Sequence, residues 1–333
     1  MAAAANSSLE LVCPAGTPAA LRTAVDAGAH AVYCGFRDET NARNFPGLNF
    51  DRKELAEAVA YAHARGARLL VAVNTYPRAG EVALWRRAVD DAARLGADAV
   101  ILADLGLLAY AADRHPDLRR HLSVQASASN PAAIAFYART FGVRRVVLPR
   151  VLTVAEIAAL NRVLDVETEV FVFGGLCVMA EGRCSLSSYA TGKSPNMNGV
   201  CSPASHVRYE DRGGRLVSRL GAFTINAFAP EEPAGYPTLC KGRFVALGEA
   251  SYLFEEPTSL STLAILPDLV AAGVTAIKIE GRQRGRAYVE AVVRAFRAAT
   301  DALAKGEPMP AIDLATLAEG GSTTTGAYHK TWR

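Results

Sequence analysis

Several signatures of common chemistry are missing from this 333-residue sequence. It holds no G-x-G, so the glycine fingerprint of dinucleotide-binding folds is absent. Without H-E-x-x-H or G-x-S-x-G, neither a zinc protease nor a serine-nucleophile elbow is supported. The TGKS at 191–194 is not a phosphate loop, because Ser187 stands where the required glycine would be. No run approaches the roughly 18 apolar residues of a membrane span, so no transmembrane segment is expected. The opening MAAAANSS lacks the basic flank and apolar core of a signal peptide. Residues 1–8 therefore read as a disordered tail and the chain as cytoplasmic. A surplus of one charge is missing too: Lys+Arg 36 against Asp+Glu 33 leaves +3. Nucleic-acid binders usually carry a stronger basic bias, so the composition predicts no nucleic-acid partner.

Cysteine is scarce, six in all, and four of the six fall in one stretch: Cys177, Cys184, Cys201 and Cys240, spaced C-x6-C-x16-C-x38-C. Disulfides would need an oxidising compartment to which nothing directs the chain. Structural zinc usually takes C-x2-C knuckles, and none is present. Wide, uneven spacing suits a larger inorganic body such as an iron–sulfur cluster, with zinc and unliganded thiols as the alternatives. Four thiolates on four irons would leave no open coordination position, which favours electron transfer or a structural role over Lewis-acid catalysis. Cys13 and Cys34 end apolar strands and read as core fillers. His206 lies five residues after Cys201 and reads as a surface histidine, and no histidine has metal-ligand spacing.

From Leu9 onward, short apolar runs alternate with amphipathic segments. Strands are predicted at 9–13, 30–34, 68–74, 98–103, 121–126, 144–148, 168–173 and 275–280, rich in Val, Ile and Leu without clean alternation. Thr17-Pro18 has the form of an N-cap and first helical residue. Trp85, Ala88, Val89 and Ala92, and later Tyr288, Val292, Ala295 and Phe296, lie on helical stripes. Gly28, Gly66, Gly96, Gly142 and Gly273 each stand where a helix hands over to a strand. Eight strands alternating with eight helices predict an α/β fold, a (β/α)8 TIM-like barrel over residues 9–333, rather than an open doubly wound sheet. Residues 174–260 form a long insertion after strand 7, containing the four clustered cysteines and a hairpin that turns at Gly213-Gly214. Leaving the carboxyl end of that strand, the insertion must sit over the barrel mouth. The C-terminal EGGSTTTGAYHKTWR is expected to fold back on the barrel.

Asn74, Asp104, Gln125, Arg150 and Glu280 are placed at strand ends around that mouth, with Arg282 just beyond. Arg43 and Asn44 fall in the loop after strand 2, and Arg183 directly precedes Cys184. Arginines converging on one cleft would bind a carboxylate-bearing small molecule through bidentate hydrogen bonds.

LVCPAG, YCGFRDETNARNFPGLNF, LADLGLL, SVQASASN, VVLPRVL, FGGLCVMAEGRCSLSSY, GYPTLCKGR, FEEPTSL and IKIEGRQR run through almost the whole chain. Together they resemble the collagenase-like peptidase family, in its oxygen-independent ubiquinone-biosynthesis branch, over about residues 9–333. The resemblance implies a [4Fe-4S] cluster on Cys177, Cys184, Cys201 and Cys240. It also implies a heterodimer with a related cluster-carrying protein, UbiV, that hydroxylates the aromatic ring of prenylated quinone precursors under anaerobic conditions. In this reading the chain could be an electron relay or scaffold whose partner holds the substrate. Other members of the family hydroxylate tRNA or ribosomal RNA bases, with prephenate as the hydroxyl donor. An RNA-base hydroxylase is therefore the alternative expectation. Peptidase activity ranks last, since no nucleophile, zinc site or carboxylate pair can be identified.

Overall fold

The structure, a computed structural model, describes residues 9–329; the tail predicted over 1–8 lies outside them. Eight parallel strands close a barrel: β1 Glu10–Pro14, β2 Ala31–Gly35, β3 Arg68–Val73, β4 Ala99–Leu102, β5 Arg119–Leu122, β6 Val143–Val147, β7 Glu167–Gly175 and, far along the chain, β14 Ala276–Ile279. Closure comes from β14, which pairs in parallel with both β1 and β7. Helices α1 Pro18–Asp26, α2 Arg52–His63, α3 Val82–Arg94, α4 Leu105–Arg114, α5 Pro131–Phe141 and α6 Val154–Asn161 follow the first six strands. Thr17 caps α1 as its sequence predicts, its Oγ1 accepting from the Ala20 amide. Trp85, Ala88, Val89 and Ala92 of α3 are fully buried against the sheet. All five helix-to-strand glycines carry positive φ, which a side chain would strain.

The insertion has its own small architecture. Short helices α7 Leu186–Thr191 and α8 Pro195–Asn198 precede an antiparallel sheet of β8 Val207–Arg212, β9 Arg215–Leu220 and β10 Phe223–Phe228. Gly213 and Gly214 turn the β8–β9 hairpin with φ of 63° and 79°, the double positive φ of a type I′ turn. A second hairpin, β11 Arg243–Ala246 with β12 Glu249–Tyr252, follows. The chain then returns through β13 Ser259–Ser261, antiparallel to the end of β7. Helix α9 Leu266–Ala271, strand β14 and helix α10 Arg286–Lys305 complete the barrel. The C-terminal segment folds back as expected. β15 Thr323–Thr324 pairs with β13, and the buried Tyr328 hydroxyl donates to the Phe171 carbonyl at 2.6 Å.

The barrel interior departs from the sequence reading. Most strand residues facing the helices are apolar, Arg120 of β5 with its bond to the Phe141 carbonyl being an exception, but several inward positions carry charge. Arg145 on β6 donates Nε to Glu167 at 2.8 Å, Nη1 to Glu169 at 3.1 Å and Nη2 to Glu10 at 2.5 Å. Lys278 on β14 donates to the other oxygen of Glu169 at 2.6 Å and lies 3.9 Å over the Tyr33 ring. Small neighbours (Val12, Ala31, Ala72, Ala99 and Ala276) line the same interior. The strand predicted at 121–126 is shifted: β5 runs Arg119–Leu122. After Leu122 the chain turns into a 3-10 segment, Val124–Ala126, because the Ser123 hydroxyl accepts from the Gln125 amide.

His121 on β5 lies inside this network. Its Nε2 accepts from Arg119 Nε at 3.0 Å, so the ring is neutral with its proton on Nδ1. Burial, then Arg145, Arg119, Lys278 and Arg68, hold its pKa well below the ordinary value. In the unfolded chain it titrates near ~6.5. As pH falls through that value the unfolded state takes up a proton that the folded state refuses, so stability declines toward acid by about 1.4 kcal/mol per pH unit. Urea unfolding at pH 7.5 and 5.5 should show His121→Gln losing less stability on acidification than the parent chain. Equal losses would mean that His121 is protonated in the fold.

Candidate functional site

The carboxyl end of β7 is clipped from two sides where the insertion leaves the barrel. Arg150, in the loop after β6, donates Nη1 to the Gly175 carbonyl at 2.6 Å and Nε to Glu181 at 2.7 Å. Its guanidinium stacks 4.3 Å from the Phe171 ring centre. Glu280, just past β14, accepts from the Gly175 amide at 3.3 Å and from Arg43 Nε at 3.3 Å. Burial alone would raise the Glu280 pKa, but Arg43 and Arg150 outweigh it and keep the carboxylate ionised. Arg150 and Glu181 form a buried pair of the same kind.

This frame positions the four cysteines. Cys177 lies two residues past Gly175, and Cys184 three past Glu181. The Glu181 carbonyl accepts from the Ser127 hydroxyl, which pins the intervening loop to the barrel. At Gly182, a side chain would collide with the Gln125 carbonyl, since a Cβ would sit 2.1 Å from its oxygen. Cys201 follows α8, which is tied to the mouth by the Tyr76 amide donating to Asn196 at 3.1 Å. Cys240 sits in the turn Leu239–Lys241, anchored by the Lys241–Glu319 ion pair.

Each of the four thiols lies within electrostatic reach of the other three. Burial raises the thiol pKa of Cys177 and Cys201, opposed by Arg150 and Arg43 respectively. Burial, then the neighbouring Cys177 and Cys201 thiolates, push Cys240 up to about 12. Such a group loses its protons readily only to a ligand that replaces them with positive charge. Among the described residues, no three His, Cys, Asp or Glu side chains are gathered as they would be around a single metal ion. Cys13 and Cys34 are fully buried in the core, apart from the four.

The other predicted site residues divide. Arg282 is buried and donates to Asn41 Oδ1 at 3.1 Å and to the Ala42 carbonyl at 2.8 Å, with no carboxylate paired to it among the described residues. Burial lowers its pKa to about 10. Asn74 joins the same loop, accepting from the Ala42 amide at 2.9 Å and donating to Ser123 at 3.3 Å. Asp104, two residues past β4, caps α4, accepting from the Leu107 amide at 2.9 Å. Gln125 lies in the 3-10 turn, where its carbonyl accepts from the Tyr76 hydroxyl at 2.7 Å and its side-chain oxygen is buried without a partner. Arg183 points outward, donating only to the adjacent Gly182 carbonyl. Beside Cys201, a cavity of about 260 Å³ opens between Asn44, Phe45, Lys193, Val200 and Pro203. A larger one, about 520 Å³, lies by β15 and is lined by Glu255 and Glu256, which makes it a poor seat for an anion.

Two contributors were missed in the sequence. Glu181 sits inside the cysteine stretch, and its pairing with Arg150 needs only the recognition that a buried arginine requires a carboxylate. Asn41 is wholly buried, spanning from the Phe36 carbonyl to Arg282. Its signal was the density of Asn and Asp in the loop after β2.

A tRNA hydroxylation protein P of Escherichia coli (strain K12) is 33% identical over 327 residues, covering 92% of this chain and 71% of the relative. An uncharacterized protease of Methanocaldococcus jannaschii is 31% identical over 303 residues, covering 90% of this chain and 66% of the relative. A 23S rRNA 5-hydroxycytidine synthase of Escherichia coli (strain K12) is 31% identical over 300 residues, covering 89% of this chain and 40% of the relative. Two of these three names concern RNA hydroxylation and lend no support to a quinone-precursor substrate or a UbiV partner. The pattern of peptidase family U32 matches residues 16–330. With the barrel and the relatives in agreement, the chain belongs to peptidase family U32.

Proposed function

We propose that this protein hydroxylates an RNA base, with a [4Fe-4S] cluster held by Cys177, Cys184, Cys201 and Cys240. The observation that carries the reading is the convergence of these four thiols over the barrel mouth, in a chain so similar to a tRNA hydroxylation protein. Four thiols, each within electrostatic reach of the others, are the donor type such a cluster takes, which supports the reading. Bound there, the cluster would supply one-electron transfer.

The chain's own groups supply the rest. Arg150 and Arg43 place positive charge beside Cys177 and Cys201, offsetting the thiolates' negative charge. Arg282, buried without a bound carboxylate, would take one carboxylate of a hydroxyl donor such as prephenate. Tyr189 on α7 is 78% exposed and rests against Phe223, offering a ring on which an unstacked base could lie.

Mass spectrometry of nucleosides from a strain lacking the gene tests the reading. Restoring the intact chain should return a nucleoside one oxygen heavier than its parent base, while Cys201→Ala should not. An identical nucleoside profile in all three strains would overturn the assignment. The UbiU-like reading, in which the chain works with UbiV on a prenylated quinone precursor, rests on the motif resemblance alone. It would be favoured if the quinone extract, rather than the RNA, lost its hydroxylated product.

A further inference from the structure

The insertion carries a feature that neither the barrel nor the cysteines explain. Residues 208, 210 and 212 of β8 lie on one face of the antiparallel sheet, opposite 219, 217 and 215 of β9. Arg208 thus stands directly across from Arg219, and Arg212 from Arg215. Like charges opposed across strands cost stability rather than add to it. Glu210 moderates them, bonded to Arg212 at 2.7 Å and lying 3.8 Å from Arg219, and Glu232 lies within electrostatic reach of Arg215. Arg208 and Arg215 have no ion-pair partner among the described residues. Four arginines against one glutamate give this one small face a surplus equal to the formal net charge of the whole chain. The near-neutral total conceals a concentrated patch.

The opposite face of the sheet locates it. Val207, Leu220 and Phe223 pack on Leu186 and Ala190 of α7 and on Leu239, the neighbour of Cys240. The arginine face is therefore turned away from α7 and Leu239, with Arg208, Arg212 and Arg215 exposed around a buried Val217.

We propose that the arginine face of β8 and β9 binds the sugar–phosphate backbone of the RNA substrate and holds it beside the cysteine site. Guanidinium groups match phosphate oxygens in a bidentate fork, and cross-strand pairs present two such forks side by side. A row of phosphates relieves the mutual repulsion that the folded protein otherwise carries. The inference rests on the RNA reading above and adds to it the surface that does the holding.

Fluorescence anisotropy with unmodified tRNA transcribed in vitro, across a salt series, tests it. Three full-length chains are compared: the parent, one with Arg208, Arg212, Arg215 and Arg219 all changed to Gln, and one with the same four changed to Lys. The Gln chain should bind at least about tenfold more weakly at 0.1 M salt, with a log–log salt slope shallower by about 2–3, roughly 0.7–0.9 for each phosphate left without its cation. The Lys chain should keep most of that slope, which separates lost charge from lost fold. Parent-like affinity and slope in the Gln chain would overturn the surface, while hydroxylated nucleoside in cells carrying that chain would leave the RNA reading standing. No tRNA binding by the parent would overturn both. Equal binding of the parent to phosphatidylglycerol vesicles, abolished in the Gln chain, would assign the face to a membrane and overturn the RNA occupant.

Discussion

Replacing Glu169 with leucine will destabilise the barrel by about 3–5 kcal/mol, the cost of removing one partner from a buried ion pair. Glu169 is wholly buried and accepts from both Lys278 and Arg145. Burial works to raise its pKa, but those two cations overcome it, so the carboxylate is ionised. Arg145 would still have Glu10 and Glu167, whereas Lys278 would keep only the face of Tyr33. The lysine is already held below its ordinary pKa by burial, with Glu169 opposing that effect. Without the glutamate it will shed its proton or draw in water. Changing Lys278 to leucine as well should restore part of the loss, because an apolar pair avoids the desolvation of both charges. Urea denaturation of the single and double variants measures the difference. A single variant as stable as the parent would mean that the interior charges are already solvated.

On the proposed function, Arg282→Leu should lower kcat/KM for RNA hydroxylation by roughly 100-fold, an effect of the size expected when reacting groups are misplaced by about 1 Å. The guanidinium ties β14 to Asn41 and Ala42, the loop that also presents Arg43 to Glu280. Losing it removes a cation from the mouth and releases that loop. Lysine should restore little, since a single ammonium cannot make both hydrogen bonds with a planar fork. Steady-state kinetics with iron content measured in parallel would decide. Unchanged kinetics would place donor binding elsewhere.

Much of the fold was legible because parallel strands buried on one face by helices must be apolar there. Seven of the eight barrel strands fall on the apolar runs; the exception is β5, whose Arg119-Arg120-His121-Leu122 carries little apolar signal, and the two glycines of the β8–β9 turn were visible from their pairing. The interior charges were hidden by length. With only two or three inward positions per strand, Glu10, Arg145, Glu169 and Lys278 looked like isolated polar residues in apolar runs. Asp104 stands at the strand end as expected but serves as the α4 N-cap, since a strand-end acid and a helix N-cap coincide when α4 begins so soon after β4 ends. The cysteine stretch could be found by spacing. Its spatial convergence could not, because it depends on the Arg150–Glu181 and Lys241–Glu319 pairs that fold the insertion back on the mouth. The basic sheet face escaped notice because net charge averages over the chain, whereas binding depends on where the charges stand.

The most direct test of the central claim is the iron and acid-labile sulfide content of the protein purified without oxygen, beside Cys→Ala variants at 177, 184, 201 and 240. About four of each per chain in the parent, absent from every variant, is the result that a [4Fe-4S] cluster on these thiols predicts. Zinc without sulfide, or iron retained when any one of the four is removed, would contradict it.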